Sequence, residues 1–72
     1  MTFNKCIAKE DKIMNSGVTA LHIFKHQIYY YYVGYDYIYK SDYYMIFDSP
    51  NATYGVVFTQ KDFQNYFEII KE

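Results

Sequence analysis

Residues 28–39 read IYYYYVGYDYIY, and ten of the chain's eleven tyrosines fall between Tyr29 and Tyr54, interleaved with Ile, Val, Met and Phe. Aromatic and β-branched residues favour the pleated, half-buried surface of a strand, so this region is predicted to be antiparallel β-sheet. Gly34 interrupts the run and leaves two alternations open. If the strand passes straight through, Tyr29, Tyr31, Val33, Tyr35, Tyr37 and Tyr39 share one face. If Gly34 makes a bulge, Ile28, Tyr30 and Tyr32 join Tyr35, Tyr37 and Tyr39 instead. In both cases Asp36 and Lys40 point opposite to Tyr35, and the charged side is taken as outward.

The same alternation applied to residues 43–48 puts Tyr43, Met45 and Phe47 toward the core and Tyr44, Ile46 and Asp48 away from it. The outward face then collects one pair from Tyr29, Tyr30, Tyr31 and Tyr32, with Asp36, Ile38, Tyr44 and Ile46. These eight positions are the candidate partner-binding residues. An antiparallel sheet normally shows water a polar face. Four or five rings on that face, each worth roughly 150–250 Å² when covered, exceed the apolar patch a monomer ordinarily exposes. A second copy, another protein or the N-terminal segment is expected to cover it.

Outward from this centre, residues 18–25 read as a strand and Lys25-His26-Gln27 as a turn. Lys40-Ser41-Asp42 is a tight loop, and Ser49-Pro50-Asn51-Ala52-Thr53 is the clearest turn, with Asn able to take a left-handed dihedral. Tyr54 opens a last short strand over 54–58. At the C-terminal end, Thr59-Gln60-Lys61-Asp62 has the pattern of a capping box, and Phe63, Tyr66, Phe67 and Ile70 follow at helical spacing. Residues 3–14 set Phe3, Cys6, Ile7, Ala8, Ile13 and Met14 near one side of a helix, with Thr2 as cap and Asn15-Ser16-Gly17 as stop; a short strand over 3–8 is the alternative. The predicted fold is α+β: an antiparallel meander of about four strands, a C-terminal helix packed on one face and an N-terminal helix. Residues 1–72 are read as one small domain.

Composition narrows the function classes. Apolar residues make up 51% of the 72 and charged residues 21%, which describes a globular chain and not a disordered tail. Net charge is -1 and every basic residue is Lys, so the bidentate guanidinium fork that reads guanine and clamps phosphate is missing. The lysines near the tyrosines, Lys25 and Lys40, are offset by Asp36, Asp42 and Asp48. Single-stranded nucleic acid could stack on exposed rings, but without a basic groove this is only the competing reading. A lone cysteine, Cys6, allows neither an internal disulfide nor a thiolate cluster. His22 and His26, four apart on an extended segment, stand roughly 13 Å from one another, too far to share a metal ion.

The three glycines, at 17, 34 and 55, form no phosphate loop, and no nucleophile has a base placed beside it by spacing. An enzyme, a metal and a cofactor are therefore not expected. The start Met1-Thr2-Phe3-Asn4-Lys5 lacks the apolar core of a signal peptide, and no apolar run reaches the roughly 20 residues that span a bilayer, so a cytoplasmic protein is expected. One Leu beside eight Ile and seven Lys is the bias of AT-rich codons, which points to a low-GC bacterium or a phage or mobile element within one. The functional expectation is a non-enzymatic interaction module, a phage or mobile-element inhibitor or modulator of a host protein such as a defence nuclease. A single-strand-binding protein and a structural homo-oligomer are the alternatives; a host protein or a second copy is the expected partner, with no membrane.

Overall fold

A computed structural model describes residues 3–16, 19–53 and 55–71. In chain order the elements are β1 (Asn4–Ala8), β2 (Lys12–Ser16), β3 (Thr19–Ile23), β4 (Ile28–Asp36), β5 (Ser41–Phe47), β6 (Val56–Thr59), α1 (Gln60–Tyr66) and β7 (Phe67–Ile69). Five strands form one antiparallel sheet in the order β6-β5-β4-β1-β7, while β2 and β3 make a separate two-stranded ribbon. The molecule is α+β. Its meander is confined to β4, β5 and β6; β1 lies on the other side of β4, and β3 has left the main sheet for the ribbon.

β4 runs straight through Gly34. Its register with β5 is continuous from Tyr30↔Phe47 to Asp36↔Ser41, with Gly34 opposite Tyr43, so no bulge resets the alternation. Tyr29 and Tyr31 consequently join Cys6, Ala8, Ile46, Val56, Phe58 and Phe67 on one buried face. Two pieces cover it. Phe63 of α1 stacks on Tyr44 at 4.1 Å between ring centroids and lies 4.9 Å from Tyr31. The ribbon adds Ile23, with Met14 and Leu21 packed alongside. The Tyr29 hydroxyl ties the ribbon's end to the sheet, accepting from the Phe24 N–H at 2.7 Å and donating to the His22 carbonyl at 3.4 Å. A buried phenol thus has both of its roles filled, as burial demands.

No helix forms over residues 3–14; β1 and β2 stand there instead. Cys6 and Ala8 are buried while Ile7 between them is half-exposed, a period of two. What selects the strand is pairing with distant segments, Asn4↔Tyr31 through Ile7↔Ile28 on one side and Cys6↔Ile69 on the other. Thr2 and Gly17, the expected cap and part of the expected stop of that helix, and Tyr54, expected to open the last strand, lie outside the described residues.

The C-terminal helix is present but short. Thr59 caps it, its hydroxyl accepting from the Asp62 N–H at 3.1 Å. It stops at Tyr66, and Phe67 turns extended at φ −132°, ψ 153°. Phe67 and Ile70, assigned by spacing to the helix stripe, follow the strand path beside β1, with Phe67 paired to Ala8 and the Ile70 N–H bonded to the Lys5 carbonyl at 3.1 Å. An open strand edge outweighs one more helical turn for the β-branched pair Ile69-Ile70.

Two turns take left-handed residues that are not glycine, His26 at φ 71° and Lys40 at φ 54°. At Pro50 the Ala52 N–H closes a turn on the Ser49 carbonyl at 3.2 Å, and Asn51 is not among the left-handed residues.

Candidate functional site

Both covering elements lie on the same side of the sheet, so among the described residues no helix or ribbon stands over the opposite side. The strand period fixes which side chains that side carries. From β4 come Ile28, Tyr30, Tyr32 and Asp36, and from β5 Tyr43, Met45 and Phe47. Ile7 of β1 and Val57 of β6 continue the same face through the pairs Ile7↔Ile28 and Met45↔Val57.

The rings on this face lie against one another and against glycine. Tyr32 stacks on Phe47 at 5.9 Å and meets Tyr43 edge-on at 6.5 Å. Phe3, ahead of β1, leans over them at 5.1 Å from Phe47, which is only 8% exposed as a result. A Cβ placed on Gly34 would collide with the Tyr43 ring, and one on Gly55 would come within 2.7 Å of the Phe47 ring and 2.8 Å of the Ile46 carbonyl. Each glycine therefore leaves room for a cross-strand ring to lie down on the sheet, and the face is flattened into a paved aromatic surface. Burial, and after it the neighbouring Tyr43, pushes the Tyr32 phenol above its ordinary pKa, so the hydroxyl stays neutral.

The sequence-derived candidates divide. Tyr30, Tyr32 and Asp36 do share the uncovered face. Tyr29 and Tyr31 do not, being 0% and 5% exposed in the core. Tyr44 and Ile46 were expected outward and lie on the covered face, Tyr44 against Phe63 and Ile46 fully buried. The error for β5 came from Asp48, which follows the last residue of the strand and so carries no information about its faces. Tyr43, Met45 and Phe47, assigned inward, take the outward places. The length of the turn between β4 and β5 holds the missing signal, because four residues between Asp36 and Ser41 put Tyr43 opposite Gly34.

Ile38 sits on neither face. It belongs to the turn 37–40, where Tyr37, Ile38 and Tyr39 are 83%, 85% and 80% exposed. Tyr37 and Tyr39 were expected to face the core with Tyr35; the strand ends at Asp36, before their positions. Asp36 holds the turn, its Oδ1 accepting from the Ile38 N–H at 2.9 Å and the Tyr39 N–H at 3.2 Å. Beside the turn an open groove of about 450 Å³ crosses toward β6, lined by Asp36, Tyr39, Asp42, Tyr43, Val57 and Thr59 among others. Val33 and Tyr35, which share the core-facing alternation, are about half exposed because the cover ends at Tyr31 and Tyr44.

Burial pushes the Cys6 thiol up to about 12, which keeps it protonated and unreactive at neutral pH. His22 is exposed and stacked on Phe24 at 4.0 Å. Among the described residues no three His, Cys, Asp or Glu side chains group as a metal site would require, and no helix is long and apolar enough to cross a membrane. No protein-family model, characterised protein or solved structure matches the chain.

Proposed function

We propose that this chain is a small non-enzymatic interaction module whose uncovered, aromatic-paved sheet face docks on another protein. The single observation that carries this reading is the placement of α1 and the β2–β3 ribbon on one side of the sheet, with Tyr30, Tyr32, Tyr43 and Met45 on the other. Stiff rings bury large area at small entropic cost, and phenol hydroxyls tolerate water before the complex forms. Small size and AT-rich codon bias support the finer reading of a phage or mobile-element product that inhibits or modulates a host protein, a defence nuclease for example, in the host cytoplasm.

Stacking of single-stranded nucleic acid is less well supported. The charged positions this face takes from β1, β4 and β7 are Lys5, Asp36 and Glu68, one cation and two anions, which is not the positive groove that guides a phosphate backbone. The test is a double variant, Tyr30→Ser with Tyr32→Ser, compared with the parent for cooperative unfolding and for retention of a host protein from lysate. Loss of the retained protein with cooperative unfolding preserved supports the proposal. Equal retention by both chains overturns it.

A further inference from the structure

The turn between β4 and β5 holds three consecutive large apolar residues in water, where turns usually carry Gly, Asn, Asp or Ser. It is also fixed. Hydrogen bonds from the Ile38 and Tyr39 N–H groups to Asp36 Oδ1 set its backbone, Lys40 closes it in the left-handed region, and Tyr35 meets Tyr37 edge-on at 5.0 Å. A convex apolar tip held in one shape loses little entropy when it docks.

Next to this tip lies its complement. The groove of about 450 Å³ has Tyr39, Tyr43 and Val57 as apolar walls and Asp36 and Asp42 as its charged lining residues. A dry apolar cavity of about 150 Å³ already takes a benzene ring, so this space admits more than one side chain. Tyr37 and Ile38 line no part of the groove of their own chain.

We infer that two copies of this chain associate head to head through their β4–β5 hairpins, each inserting Tyr37 and Ile38 into the other's groove. A two-fold arrangement makes the contact reciprocal: wherever Lys40 of one copy meets Asp42 of the other, the reverse pair forms as well. Apolar tip meets apolar wall, and the lysine meets the carboxylate. The contact uses the end of the hairpin and shares Asp36, Tyr43 and Val57 with the uncovered face but not Tyr30, so a change at Tyr30 tells the two contacts apart.

Sedimentation of the purified chain, from low micromolar to near-millimolar concentration, should show a mass rising from one 8.7 kDa chain to two. Ile38→Asp, Lys40→Asp and Asp42→Lys should each weaken the dimer roughly tenfold or more, since each puts an unpaired or like charge into the contact. All three positions are exposed, so folding measured by circular dichroism should persist. Mixing Lys40→Asp with Asp42→Lys should restore a dimer, because both of its cross-chain pairs then have opposite charges. Tyr30→Ser should leave the dimer unchanged. A parent chain that stays monomeric throughout overturns the inference, as does a dimer that Tyr30→Ser weakens and the tip variants do not, or a mixed pair that fails to associate.

Discussion

Cys6 shows how a single side chain reports on the packing around it. It lies at the middle of β1, fully buried between β4 and β7, and that burial is what pushes its thiol from 9.0 to about 12. Burial acts in the same direction on the phenols of Tyr29 and Tyr31. The unfolded chain releases these protons at lower pH than the native chain, so the native state binds more protons across that window. The corresponding stability is complete below about pH 9 and decays as pH climbs toward about 12. Urea midpoints should therefore stay level from neutral pH to about 9 and fall beyond it, with a shallower alkaline fall in Cys6→Ala. A midpoint that does not fall between about pH 9 and 11 contradicts this placement of the thiol.

Among the elements, β5 and β6 depend on an absent side chain. Gly55 continues the strand opposite Phe47, and a methyl there meets the Phe47 ring at 2.7 Å and the Ile46 carbonyl at 2.8 Å. The ring can swing away, but the carbonyl is backbone and cannot. Gly55→Ala should cost about 1–3 kcal/mol by overpacking, read from chemical denaturation. At Gly34→Ala the nearest atoms are the far end of the Tyr43 side chain, so its loss should be the smaller of the two, accompanied by greater exposure of Tyr43.

These elements also show what local sequence carries and what it does not. The strand character of 28–36, the Thr59 cap and the Ser49–Ala52 turn are set by residues within a few positions of each other and were legible, whereas the strand was read on to Tyr39 and ends at Asp36. β1 and β7 are set by partners from about 20 to just over 60 residues distant in the chain, such as Cys6 with Tyr29 and with Ile69, so spacing alone suggested helix where pairing makes strand, while β2 pairs locally with β3. Of the candidate site, Tyr30, Tyr32 and Asp36 were readable once Gly34 was taken as unbulged. The β5 contribution was not, because one charged residue just past the strand end inverted its faces.

In the molecule as a whole, alternate tyrosines of β4 have opposite fates, Tyr29 and Tyr31 beneath the helix and ribbon, Tyr30 and Tyr32 on the open face. This is why the chain is predicted to fold on one side and bind on the other. Removing a buried ring deletes packing on every side of it, roughly 3–5 kcal/mol each, a large share of the stability a small domain possesses. The most direct measurement is equilibrium unfolding of two double variants, Tyr29→Ser with Tyr31→Ser and Tyr30→Ser with Tyr32→Ser. The first should fail to fold, and the second should unfold cooperatively with most of its stability kept. Equal loss in both, or the reverse order, would mean that the sheet has no open face.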